Sequence, residues 1–121
     1  MSAQTQSKYS VFIPPLAFSR RTSGFKFFII DKQGLVLYEG RTSKTSKFIH
    51  VPAEPYMLIR FYESYKGHRY IDIYEFKRST TGVYKPQFVK EISDMEDFVD
   101  KVAKLPVSED LKEVFIAWLS W

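Results

Sequence analysis

Short β-prone runs, the clearest of them alternating apolar and polar residues, fill the chain up to residue 92, and the period becomes helical near residue 93. Tyr9 to Ile13 is a short β-prone run ended by Pro14-Pro15, and the stretch from Leu16 to Ser23 is basic and turn-like. Gly24 to Ile30 and Leu35 to Gly40 predict a hairpin around Asp31-Lys32-Gln33-Gly34. Phe48 to Val51 is a further short strand, broken by Pro52 to Pro55. Tyr56 to Glu63 alternates cleanly: Met57, Ile59 and Phe61 point one way, and Tyr56, Leu58, Arg60 and Tyr62 the other. After the Lys66-Gly67 turn, Arg69 to Arg78 repeats the pattern, with Ile71 and Ile73 on one side and Tyr70, Tyr74 and Phe76 on the other. Val83 to Ile92 follows, and its Pro86 suits an edge or a bulge.

Ser93-Asp94-Met95-Glu96 then reads as a capping box with Ser93 as N-cap. Met95, Phe98, Val99, Val102 and Leu105 form a helical stripe stopped by Pro106. Ser108 opens a second helix with the stripe Leu111, Val114, Phe115, Trp118 and Leu119. Strands followed by helices predict an α+β fold: a twisted antiparallel sheet packed on one face by C-terminal helices. The 121 residues predict a flexible lead over 1–8 and one domain over 9–121. Such a length buries about two-thirds of the unfolded surface, so no metal or disulfide is required.

Charge divides the chain. Residues 1–90 hold 15 Lys/Arg against 6 Asp/Glu, and residues 91–121 hold 3 against 8; +9 and −5 give the net +4. A basic body with an acidic C-terminal segment suits a face that meets an anion. Cys is absent, which excludes disulfides and Cys-ligated zinc. Without a secretory pattern or a long apolar run, the expectation is an intracellular protein with no membrane partner. His50 and His68 do not make a helical metal pair, and Asp72 and Glu75 differ in strand parity. The expectation is therefore a non-enzyme without cofactors.

One segment resembles a known family. Tyr65-Lys66-Gly67-His68, Ile71-Asp72-Ile73-Tyr74-Glu75-Phe76, Gly82, Lys85-Pro86 and Lys90-Glu91-Ile92-Ser93 follow each other in the order found in the transcriptional positive-cofactor-four family. That family's single-stranded DNA-binding domain is related in fold to Whirly proteins. The resemblance covers residues 47–105. It implies a twisted four-stranded sheet on a helix, dimerisation through the helix, and binding of unpaired strands without strong sequence preference. By the same resemblance Tyr65 and Lys66 sit at the binding turn, and Lys90 before the helix. The chain departs from the family in having His68 for the turn's second Lys, Tyr74 for the strand Arg, Lys77 for a Trp and Glu91 for a Gly.

The expected partner is single-stranded DNA or RNA, and the expected assembly a homodimer through the C-terminal helices. Stacking would come from Tyr62, Tyr65, Tyr70, Tyr74 and Phe76, and phosphate contacts from Arg60, Lys66, Arg69, Lys77, Lys85 and Lys90. Arg78, Arg20-Arg21 and the loop cations Arg41, Lys44 and Lys47 are further basic candidates. Two alternatives stay open at this point. Tyr is a strong strand former, so the aromatic face also fits a second core closed by the N-terminal hairpin. The same surface also fits a non-catalytic protein-interaction or assembly module.

Overall fold

The two β-periodic faces acquire two different covers. The computed structural model describes residues 9–15, 21–41, 45–64, 66–101 and 105–120, and not the side chains of 21–25, 100 and 101. The expected lead over 1–8, Arg20, Lys44, Tyr65 and Val102 lie outside the described residues. Seven strands run in chain order: β1 (Tyr9–Ile13), β2 (Arg21–Ile30), β3 (Val36–Arg41), β4 (Lys47–Val51), β5 (Met57–Ser64), β6 (Arg69–Arg78) and β7 (Tyr84–Ile92). Two helices follow, α1 (Met95–Lys101) and α2 (Glu109–Leu119). β2 starts at Arg21, so the end of the expected basic turn, Arg21 to Ser23, is strand.

The strands form one sheet in the order β3-β2-β5-β6-β7-β1-β4. β2, β5, β6 and β7 are antiparallel neighbours, whereas β1 meets β7 in parallel at Val11 and Tyr84. The sheet is thus mixed rather than purely antiparallel. Of the four strands in the segment 47–105, β4 is not beside β5: it pairs with β1 at the far edge, and β2 takes that place. β7 bulges at Val89, opposite Ile73 and Tyr74, whereas Pro86 sits in regular register opposite Phe76.

One face carries Phe28, Ile30, Met57, Ile59, Phe61, Ile71, Ile73 and Ile92, and the helices cover it with Phe98, Leu111 and Phe115. Full burial of side chains of this size contributes about 1.5–3 kcal/mol each. The other face is closed by the sheet itself. Its core contains Phe27, Ile29, Leu58, Phe76, Tyr84, Val11, Ile13, Ile49 and Val51, with Leu37 and Tyr74 packed against it. Every strand contributes to that cluster, including the two edge strands β3 and β4, so the sheet must curl until it nearly closes. Residues 42–46 join the edges in sequence. Lys47 Nζ donates to the Arg41 carbonyl at 2.9 Å and lies 5.8 Å from the Phe27 ring centre.

Local signals explain the junctions. In the β2–β3 turn Asp31 Oδ1 accepts from the amides of Gln33 and Leu35, both at 2.9 Å. Gly34 has φ +89°, and a Cβ there would lie 2.4 Å from the Pro106 carbonyl oxygen. The turn therefore rests on the link between the helices. The cap of α1 is Asp94 rather than Ser93: its Oδ1 accepts from the Asp97 amide at 2.8 Å. Asp97 Oδ2 accepts from the Ser93 amide and hydroxyl, so the return bond of the expected box goes to the residue before the cap. Ser108 caps α2 by accepting from the Leu111 amide. The α2 stripe packs on the sheet throughout, but in α1 Met95 and Val99 remain exposed.

Candidate nucleic-acid interface

Strand parity carries the expected stackers and Arg60 to one face and Lys77, Lys85 and Lys90 to the other. Arg60, Tyr62, Tyr70, Tyr74 and Phe76 lie on the self-closed face. Lys77 has the parity of Ile71 and Ile73, Lys85 is its ladder partner, and Lys90 pairs with Ile73, so these three lie on the helix-side face. Lys77 and Lys85 are exposed and Lys90 is half-buried.

Three of the expected contacts are core. Tyr62 is 0% exposed, Arg60 4% and Phe76 7%. An extended strand cannot reach them, because the curl of the sheet folds their face inward. Phe76 packs in the second core. Arg60 Nη1 donates to the Pro14 carbonyl at 2.5 Å, and Nη2 to the Tyr74 hydroxyl at 2.8 Å. That hydroxyl in turn donates to Asp72 Oδ2 at 3.3 Å, and Asp72 is fully buried directly across the ladder from Arg60. Arg60, Tyr74 and Asp72 form an internal polar relay. Tyr62 donates to Glu91 Oε2 at 2.5 Å.

What does come together is the end of the curled sheet at the β5–β6 turn. Ser64 organises it: its backbone amide donates to the His68 carbonyl, its carbonyl accepts from Gly67, and its hydroxyl accepts from the amides of Lys66 and His68. Gly67 supplies the required φ of +85°. Beside the turn is a cleft of about 410 Å³ lined by Gly67, His68, Arg69, Tyr70, Ser93 and Leu119. Tyr70 stacks on buried Tyr62 with ring centres 5.1 Å apart and 16° between planes, and the His68 ring lies 6.5 Å from Tyr70. The result is a ladder of rings that rises from the core to exposed His68, with Lys66 exposed at the adjacent turn position.

Arg69 is engaged. Its guanidinium lies 4.4 Å from the Trp118 ring centre, Nη1 donates to the Trp118 carbonyl, and Nε is 3.9 Å from Glu63. Trp118 Nε1 donates to the Tyr70 carbonyl at 3.1 Å. Arg69 thus fastens the end of α2 beside the cleft. Sequence reasoning missed Ser64, His68 and Ser93 at this site. A Ser just before a Gly turn was an available signal for Ser64, whereas Ser93 reaches the cleft only through β7 pairing.

No protein-family model, curated protein or solved structure matches the chain.

Proposed function

We propose that the protein binds single-stranded nucleic acid, with DNA favoured, largely without sequence preference and without catalysis, at the β5–β6 turn. The ring ladder Tyr62–Tyr70–His68 beside an open cleft carries this reading. Tyr62 fixes Tyr70 from below, so a base can extend the stack at small ordering cost. Every base has a π-face, so such stacking tolerates any sequence. Lys66 at the turn supplies phosphate attraction. The resemblance of the Lys66-Gly67 segment to the positive-cofactor-four family points the same way. An intracellular setting accompanies it.

The test is fluorescence anisotropy of a labelled single-stranded oligonucleotide, with duplex competitor, over a salt series. Tyr70→Ala is expected to weaken binding by about 1–3 kcal/mol, roughly fivefold to more than a hundredfold. Lys66→Ala is expected to reduce the salt slope by about 0.7. Binding that is unchanged in both variants would sink the site.

A second reading, a protein-interaction module or a homodimer joined through the helices, has its own observation. Val99 of α1 is 64% exposed and Ile116 of α2 39%, although both are apolar. Trp118, by contrast, is docked on its own sheet through Phe61 and Tyr70. If the helices join two chains, Ile116→Glu lowers the mass found by sedimentation. Equal masses for wild type and variant exclude that dimer. An apolar protein interface also responds little to salt, which separates it from strand binding.

A further inference from the structure

At the opposite end of β6 and β7 lies a second cleft of about 410 Å³. Tyr9, Ser10, Arg78, Thr81, Gly82 and Tyr84 line it, together with Val83. None of its lining residues is acidic. Arg78 folds toward the turn: a Cβ placed on Gly82 would lie 3.9 Å from Arg78 Nη2. Gly82 has φ +89°, and its amide is used within the turn, donating to the Ser79 carbonyl. The turn is further fixed by Ser79 Oγ and Thr81 Oγ1 at 2.9 Å.

The charge of Arg78 is not answered by a carboxylate among the described residues. Lys26, Arg69, Lys77 and Lys112 each have a Glu within 4 Å, and Arg78 has none. Glu54 is held by the Tyr84 hydroxyl, which donates to its Oε2 at 3.0 Å. Burial, and then the bond to Glu54, raises the Tyr84 phenol above its ordinary value, and its one proton is committed to that carboxylate. Tyr9 meets Tyr84 edge-on, with ring centres 5.9 Å apart, and forms an aromatic wall beside the cation. A guanidinium beside an aromatic wall, in a cleft of nucleotide size, matches a phosphate carried next to a planar ring.

We propose that this cleft binds the phosphate monoester of a nucleotide, with the phosphate on Arg78 and the base against Tyr9. The ligand is a free nucleotide or the phosphorylated end of a strand. This site does not depend on strand binding at the β5–β6 turn, which lies at the other end of the same strands.

The experiment is amide NMR of the ¹⁵N-labelled protein, titrated separately with inorganic phosphate, adenosine 5′-monophosphate and adenosine. The nucleotide is expected to shift the amides of Thr81, Gly82 and Val83. Phosphate should do so more weakly, and adenosine should not. Arg78→Gln, a change at an exposed side chain, is expected to weaken the nucleotide about tenfold or more, the loss of a charge-assisted hydrogen bond. Adenosine acting as strongly as the nucleotide, an unaffected Arg78→Gln variant, or no shifts at these amides would each overturn the proposal. A 5′-phosphorylated oligonucleotide that outbinds its unphosphorylated form only when Arg78 is present identifies a strand end as the source. Equal binding of the two forms, with nucleotide shifts intact, identifies a free nucleotide. Tyr70→Ala should leave the nucleotide shifts unchanged, so failure at one end of the sheet is distinguishable from failure at the other.

Discussion

Phe115→Ala is expected to lower the unfolding free energy by about 3–5 kcal/mol. Phe115 is fully buried and packs edge-on against Phe61 of β5 at 5.5 Å and Phe98 of α1 at 6.0 Å. It therefore joins a strand and both helices at one point of the core. Its removal leaves a cavity between rigid rings, which cannot relax into the gap as flexible side chains would. Domains of this size carry about 5–15 kcal/mol in all, so the loss takes a large share. Urea unfolding should show a lower midpoint with little change in slope. A loss below about 1 kcal/mol would mean that the helices contribute little to the core.

Arg60→Ala is expected to cost a similar amount, about 3–5 kcal/mol, because it removes the cation from a buried polar group. The Tyr74 hydroxyl and the Pro14 carbonyl each lose a donor, and the carboxylate of Asp72 stays buried across the ladder. Adding Asp72→Ala should recover part of the loss, since the anion is then gone as well. Simple addition of the two single effects would show that Arg60 and Asp72 are not coupled. The same variant separates a core role from a phosphate contact. An internal Arg60 leaves the salt slope of oligonucleotide binding unchanged under conditions where the variant is folded; a drop of about 0.7 would place it on the strand.

Local rules made most of the elements legible. Alternation assigned Met57, Ile59, Phe61, Ile71 and Ile73 to one face, and these residues do meet the helices. Gly34, Gly67 and Gly82 marked the turns, and all three have positive φ. The fate of the second face was not local information. It depends on β1 inserting between β7 and β4, pairings that join residues 9–13 to residues 47–51 and 84. Closure by those pairings turned Arg60, Tyr62 and Phe76 from candidate contacts into core. The division between stackers and cations was partly readable: Lys77 differs in parity from Tyr74 within one strand. The face of Lys90 depends on the β7 bulge, which no single residue announces. Val99, expected on the buried stripe of α1, is exposed.

The curl that joins β3 and β4 by a five-residue link also governs how the chain behaves among its own copies. A run such as Phe25-Lys26-Phe27-Phe28-Ile29-Ile30 on an open, flat sheet is a template for strand addition by another molecule. Here β2 is interior, covered on both sides by β3 and β5. The two edges that remain are short strands of six and five residues turned toward each other, with the Lys47 ammonium between them. A sheet this rich in aromatics is thereby guarded against edge-to-edge aggregation by its own curvature, with no need for a disulfide or for Pro on the edge strands.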